Sequence, residues 1–375
     1  LGYLQRYENE TSVENAIALL KDLSIAEPNA ALVQAALGNA YLYKYDLTHQ
    51  GSWADQAIAS CKRATELDPQ MPEVHVTLGL VQTRTGHAVE GIGEFQRALS
   101  EQPNWPDAVL GLAEAYERAK KFPEAEQTYR RAIELQPGYW AGYNKLGNLY
   151  LRNGRFPEAR DMYQQVVKLS PDNSRGWSNL GVALQQTGRL EEAQTAYKKS
   201  IELLPNGDAY SNLGTLEYML GRYGDAARAY EEAVKLAPKK SLYWANLGDA
   251  YRWAPGLHSK ATAAFQRAIL LAQDELQVNP KSILTHMTVA LCLAKIGNCV
   301  EAQNHIRQAL DQNPNDTDNM FQAAVVANIC GRRQEALDWT KKATQLGYPR
   351  AAFMEEPELS NLRKDKAFQE ALGGK

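Results

Sequence analysis

The sequence predicts an all-α fold, a right-handed superhelical solenoid of helix-turn-helix repeats. Three observations carry that prediction. The first is a Leu-Gly pair recurring every 33 or 34 residues, at Leu146-Gly147, Leu180-Gly181, Leu213-Gly214 and Leu247-Gly248. The second is helical periodicity around it. An aromatic residue, the Leu-Gly pair and a later Tyr fall at i, i+3, i+4 and i+7, as in Tyr143, Leu146, Gly147 and Tyr150, which is one face of a first helix (helix A). A second helix (helix B) repeats Ala, an aromatic and Ala at i, i+4 and i+7, as in Ala226, Tyr230 and Ala233. The third is punctuation. Gly154, Gly188, Gly221, Gly297 and Gly331 stand where helix A must end, and Pro171, Pro205 and Pro238 close helix B, because proline cannot continue a helix. A period of this length is the signature of a solenoid, in which neighbouring hairpins bury each other's apolar faces.

Taken in order, residues 1–28 form a partial repeat in which Ala16, Leu20, Leu23 and Pro28 hold helix B positions. Its helix A would lie before Leu1, so the chain reads as a fragment of a longer protein. Residues 29–71 form a repeat with seven extra residues between Gly38 and Ala57, read as a longer loop between helices A and B. Residues 72–238 hold five regular repeats. Residues 239–282 carry seven further residues between Ala268 and Pro280, predicting a helix B longer by roughly 10 Å at about 1.5 Å per residue. Two repeats follow at 283–348, and 349–375 reads as a cap for the last apolar face.

Composition narrows the function. A net charge of −3 and an isoelectric point near 6.2 leave no electrostatic footprint for nucleic acid. Transmembrane-length apolar runs and a signal peptide are missing from the sequence. Cys61, Cys292, Cys299 and Cys330 show no metal or CxxC spacing and read as structural thiols, which favours a reducing, cytoplasmic setting.

No phosphate loop, zinc-hydrolase, nucleophile-elbow or kinase signature occurs, so no catalytic residue, cofactor or metal is predicted, and the chain reads as non-enzymatic. Gly91 and Gly93 lie inside a helix B, where packing accounts for them. His286 occupies an aromatic slot and His305 lies beside a core slot, which allows a His pair across one hairpin. Satisfied core or edge histidines are the reading adopted, since a metal site needs more convergent ligands. Sequons at Asn9 and Asn315 and the pairs Lys198-Lys199 and Lys239-Lys240 read as chance matches and solvated faces.

The inner wall of such a stack is lined by helix A residues one step off the core face. The slot before the Leu-Gly pair holds Asn179, Asn212 and Asn246 in three consecutive repeats. Asn144, Asn148, Arg152, Arg175, Tyr218, Asp249, Arg252 and Trp253 complete the candidate groove. An amide offers both donors and an acceptor, so a row of them can pair with the backbone of an extended peptide, or can bond within and between helices instead.

On these residues the chain resembles tetratricopeptide repeat proteins along essentially its whole length. The irregular units and both ends, from "GYLQRYENETSVENAI" to "GYPRAAFMEEPELSNLRKDKAFQEAL", resemble the C-terminal repeat region of bacterial receptor-like serine/threonine kinases. That resemblance implies an interaction or sensing module beside a kinase domain that this chain does not contain, on the extracytoplasmic face if that kinase is membrane-anchored. The Asn row is similar to the asparagine ladders of O-linked N-acetylglucosamine transferase and the peroxisomal targeting-signal receptor. It is shorter here, since Gly111, Lys145 and Thr288 hold the slot elsewhere. The expectation is a scaffold binding a protein or extended peptide in its groove, within a larger bacterial signalling protein. The alternatives are an oligomerisation module (a homo-oligomer) or the accessory region of an enzyme.

Overall fold

The structure is a computed structural model that describes residues 10–373. Helices account for 80% of it, and no strand occurs among the described residues. The chain divides into two compact units, Leu1–Thr187 and Gly188–Lys375. The first holds α1 (Glu10–Ala26), α2 (Ala31–Thr48), α3 (Gly51–Leu67), α4 (Pro72–Arg84), α5 (Ala88–Glu101), α6 (Pro106–Arg118), α7 (Phe122–Leu135), α8 (Trp140–Arg152), α9 (Phe156–Leu169) and α10 (Ser174–Gln186). The second holds α11 (Leu190–Leu203), α12 (Gly207–Met219), α13 (Tyr223–Leu236), α14 (Ser241–Trp253), α15 (His258–Val278), α16 (Ile283–Lys295), α17 (Cys299–Gln312), α18 (Thr317–Ile329), α19 (Arg333–Gln345), α20 (Arg350–Glu355), a 3-10 turn (Pro357–Leu362) and α21 (Lys366–Ala371).

Within each unit successive helices pair as antiparallel hairpins, and the repeating phrase explains how. A Cβ added at Gly147 would lie 2.9 Å from the Tyr163 ring, at Gly214 2.9 Å from Tyr230, and at Gly248 2.5 Å from Phe265. Glycine in helix A is therefore the space into which the helix B aromatic fits. Gly91 has the same kind of reason, since a Cβ there would meet the Gly79 carbonyl oxygen at 2.9 Å. The aromatic slot of helix A has its own rule. Trp177 and Trp244 donate their indole N–H to the carbonyls of Pro171 and Pro238, at 2.9 and 3.0 Å. Tyr143 donates to Pro137 at 3.3 Å, and His75 and His286 bond Pro69 and Pro280 through Nε2 at 2.9 and 3.0 Å. The slot thus takes a flat side chain with a polar hydrogen, which satisfies the carbonyl of the proline closing the preceding repeat. Helix starts are capped locally where the sequence allows it. Asn173 accepts from the Gly176 N–H at 2.8 Å, and Asp316 from the Asn319 N–H at 2.9 Å.

The seven extra residues near Trp53 correct the expected long loop. They lengthen α2 and α3 to 18 and 17 residues, joined through His49 and Gln50 alone. Tyr41 stacks on Trp53 with ring centres 5.8 Å apart, which explains why the added turns stay paired rather than unwinding. The extension in α15 makes a 21-residue helix. Leu271 is buried and Leu276 packs on the core of the last repeats, while Val278 is 89% exposed. Glu275, in the added turns, accepts from the backbone N–H and hydroxyl of Ser241 at 3.1 and 2.8 Å. A carboxylate so placed complements the positive end of α14.

The cysteine reading is corrected in part. Cys299 and Cys330 form a disulfide between the start of α17 and the residue after α18, with Cα atoms 5.7 Å apart. Their separation of 31 residues carries no signature, and only the stacking of adjacent hairpins joins them. Cys61 and Cys292 are buried thiols, and burial pushes each up to about 12. Past α19, the terminal segment buries Phe353, Leu359, Leu362 and Phe368 against a core that includes Phe321, and Tyr348 stacks on Phe321 at 5.0 Å.

Candidate functional site: the helix A wall

Five of the candidate groove residues lie in the first unit. Asn148, on α8, accepts a hydrogen bond on Oδ1 from the Tyr163 hydroxyl at 2.7 Å. The ring of Tyr163 reaches it through the gap at Gly147, and burial raises the phenol's pKa, so it stays a donor. The Nδ2 group of Asn148 has no hydrogen-bond partner among the described residues. Asn179 donates to Asn144 Oδ1 at 3.3 Å, which ties α10 to α8 and spends part of both amides. Arg152 pairs with Glu117 at 2.6 Å while remaining largely exposed. Arg175 is exposed and has an interaction within the chain.

Charges on this wall alternate from one helix A to the next. Asp46 on α2 pairs with Arg84 on α4 at 2.6 Å, and Glu114 on α6 pairs with Lys145 on α8 at 3.0 Å. Burial alone would raise the Glu114 carboxyl, but Lys145 and Arg84 outweigh it and hold the group below the usual range. Sequence reading missed these acids, since it sought amides. They take no common slot, since Asp46 and Arg84 lie near the ends of α2 and α4 while Lys145 is in the middle of α8, so no repeating spacing marked them in the sequence.

The second unit holds the other six. Asn246 makes no side-chain hydrogen bond among the described residues, whereas Asn212 has one or more interactions. Tyr218, Tyr223 and Trp253 form an aromatic cluster, with ring centres 5.1 and 6.1 Å apart along the series. Tyr223 was not among the expected residues; it starts α13 and joins the cluster only through the hairpin. Asp249 pairs with Lys295, an ammonium that burial would depress and Asp249 holds above its usual range. Arg252 is half-buried and already paired. It pairs with Glu358, 106 residues later in the 3-10 turn, with Nε 2.9 Å from Oε1 and Nη2 3.3 Å from Oε2. The chain's own tail therefore lies on this part of the wall.

The other candidate chemistry resolves into structure. His286 and His305 bond through Nδ1 at 2.9 Å, and burial, with His286 second, lowers the His305 pKa. No cluster of three or more His, Cys, Asp or Glu side chains that could hold a metal occurs among the described residues. None of the described helices is long and apolar enough to cross a membrane. Asn9 of the first sequon lies outside the described residues.

Comparison with solved structures places this geometry among repeat proteins. A chain of the APC/C hetero-tetramer Cut9-Hcn1 matches 78% of this chain at 18% identity with a TM-score of 0.51, and the match spans 55% of that chain's length. Human IFIT1, solved as a dimer with m7Gppp-AAAA, matches 97% of this chain and 90% of its own at 15% identity, with a TM-score of 0.57. The Thermus thermophilus tetratricopeptide protein TTC0263 matches 48% of this chain and 98% of its own at 21% identity, with a TM-score of 0.40. The likenesses to the Cut9-Hcn1 chain and to IFIT1 show the fold and nothing finer. No curated protein sequence matches the chain. The family model described as Cilia and flagella-associated protein 70 C-terminal domain, a tetratricopeptide repeat region, matches residues 88–325, and the chain belongs to that family.

Proposed function

We propose that the chain is a non-catalytic scaffold, each of whose two units binds an extended peptide or protein segment on its own helix A wall. One observation carries the reading: amides on the helix A residues keep unspent hydrogen-bonding groups, and at Asn148 that group is also held in position. Asn148 is held at Oδ1 by Tyr163 and keeps both Nδ2 hydrogens, and Asn246 keeps its whole amide. A side chain already ordered loses less conformational entropy on binding. Hydrogen bonds from such groups to a peptide main chain supply affinity in either unit, and in the second unit the Tyr218–Tyr223–Trp253 cluster beside Asn246 supplies an apolar anchor for a selected side chain.

An array of random linear peptides tests this with the full chain as probe. The chain should bind a subset, and replacing Asn148, Asn179, Asn212 and Asn246 together with Ala should weaken those spots about tenfold or more, since each neutral hydrogen bond contributes about 0.5–1.5 kcal/mol. Unchanged binding with a lowered unfolding midpoint would make these amides ties between helices and end the proposal.

The resemblance of the irregular units to kinase-associated repeats supports a place in a larger signalling protein. The disulfide Cys299–Cys330 leans toward an oxidising compartment, and so toward the extracytoplasmic alternative. The α15 extension gives no support to an oligomerisation module, because Glu275 and Leu276 are used inside the chain.

A further inference from the structure

The terminal segment shows what the wall of the second unit can hold. Residues 356–362 lie across α14 and α18 without belonging to either. Arg252 on α14 donates from Nη2 to Glu358 Oε2 at 3.3 Å and holds Nε 2.9 Å from Oε1 as an ion pair; that carboxylate is 8% exposed, and Oε1 accepts no hydrogen bond among the described residues. Asn328 on α18 donates from Nδ2 to the backbone carbonyl of Glu358 at 2.6 Å. Asn328 and Asn361 exchange amide bonds at 2.8 and 3.3 Å. One helix A residue thus reads a side-chain charge while another reads the main chain, the combination by which peptide receptors work. Leu359, next to Glu358, is fully buried.

The wall holds more donors than the tail uses. The Trp253 indole N–H is buried and finds no acceptor among the described residues. The Tyr218 hydroxyl, close enough to feel Asp249, Glu356 and Glu358, likewise has no hydrogen-bond partner among the described residues. Lys295 is buried below, committed to Asp249. The tail's own fit is imperfect in a second way. Glu356 is sunk into the same cluster with its oxygen on the Glu358 N–H at 3.2 Å, and no Lys or Arg forms an ion pair with it among the described residues.

We propose that the helix A wall around Arg252 and Asn328 is a receptor for acidic segments that carry a carboxylate beside proline and before leucine, a place the chain's own Glu356-Pro357-Glu358-Leu359 holds in this structure and a partner's segment of that chemistry takes in its turn. This rests on the reading of the helix A wall as a peptide surface. A tethered segment acts at an effective concentration of about millimolar, so a free peptide meets strong competition from the tail until the tail is loosened.

The test uses the full chain and a fluorescent peptide of its own residues 355–363, read by anisotropy, with helicity followed by circular dichroism. Glu358→Lys and the milder Glu358→Gln weaken the internal contact, and each should bind the peptide at least about tenfold tighter than the parent chain. Adding Arg252→Glu to either variant should abolish that gain, and a peptide with Arg in place of its Glu358 should bind the Arg252→Glu chain instead. If both opened variants keep their helicity and bind no tighter than the parent, the segment is only a cap and the proposal falls. It falls equally if Arg252→Glu or a scrambled peptide leaves binding unchanged. If Glu358→Lys loses helicity, Glu358→Gln and the swapped charge pair decide the matter. Array peptides that still depend on Asn148 would show that the broader reading survives this failure, whereas loss of both would remove the peptide surface altogether.

Discussion

Tyr163 donates its hydroxyl to Asn148 Oδ1 at 2.7 Å through the space left by Gly147, so one residue of the core sets the orientation of one residue of the wall. The pairing recurs in the second unit, where Tyr230 meets Thr215 at 2.9 Å beside Gly214. The helix B aromatic is therefore both core and the anchor of a surface group. Tyr163→Phe should cost about 1 kcal/mol, the usual net value of one hydrogen bond, read as a shift in the urea midpoint at unchanged slope. It should also weaken any peptide contact that depends on Asn148, with that loss absent in an Asn148→Ala background.

Gly248 is the tightest of these gaps, with Phe265 placed 2.5 Å from where a Cβ would stand. Gly248→Ala should destabilise the second unit by roughly 1–3 kcal/mol, the usual cost of overpacking. Phe265→Leu in the same chain should recover part of the loss, because the two positions share one volume. Additive losses in thermal unfolding would show that the clash is relieved elsewhere.

The disulfide between Cys299 and Cys330 closes a loop of 31 residues that includes α17 and α18. Reduction should lower stability by about 2–4 kcal/mol, mainly by freeing the unfolded chain. Melting curves with and without dithiothreitol measure this. A Cys299→Ser/Cys330→Ser chain should melt like the reduced parent and ignore the reductant.

Glu356 supplies a pH dependence. Burial raises its pKa above the ordinary 4.5, and the nearby Asp249 and Glu358 add to that, against the Glu358 N–H and Lys295. Protonated, it sits in the folded chain without penalty, so its full contribution is present below 4.5 and is lost as pH rises through the folded value. Glu356→Gln should accordingly hold the terminal segment more firmly than the parent at pH 7, and the two should converge at acid pH. Tryptic cleavage after Arg363 and Lys364 reports this, and equal rates at pH 7 would mean the carboxyl is paid no such cost.

The sequence by itself determined the hairpin, because everything the hairpin needs is local or one helix away. Aromatic, Leu-Gly and Ala fall on faces set by the helical period, Gly ends one helix and Pro the other, and the gap at Gly147 needs only the ring at Tyr163. The same logic singled out Asn148 and Asn246 as candidates, since slots repeat with the helices. It failed where the answer lay between distant segments. Extra residues before Trp53 extend α2 and α3 because Tyr41 and Trp53 stack, and stacking is a tertiary fact. Cys299 meets Cys330 only because adjacent hairpins are stacked in register. Arg252 was legible as a wall residue, but its carboxylate lies 106 residues away on a tail whose path no local pattern encodes. Periodicity fixes which face a side chain takes, and only packing of the whole unit decides what that face meets.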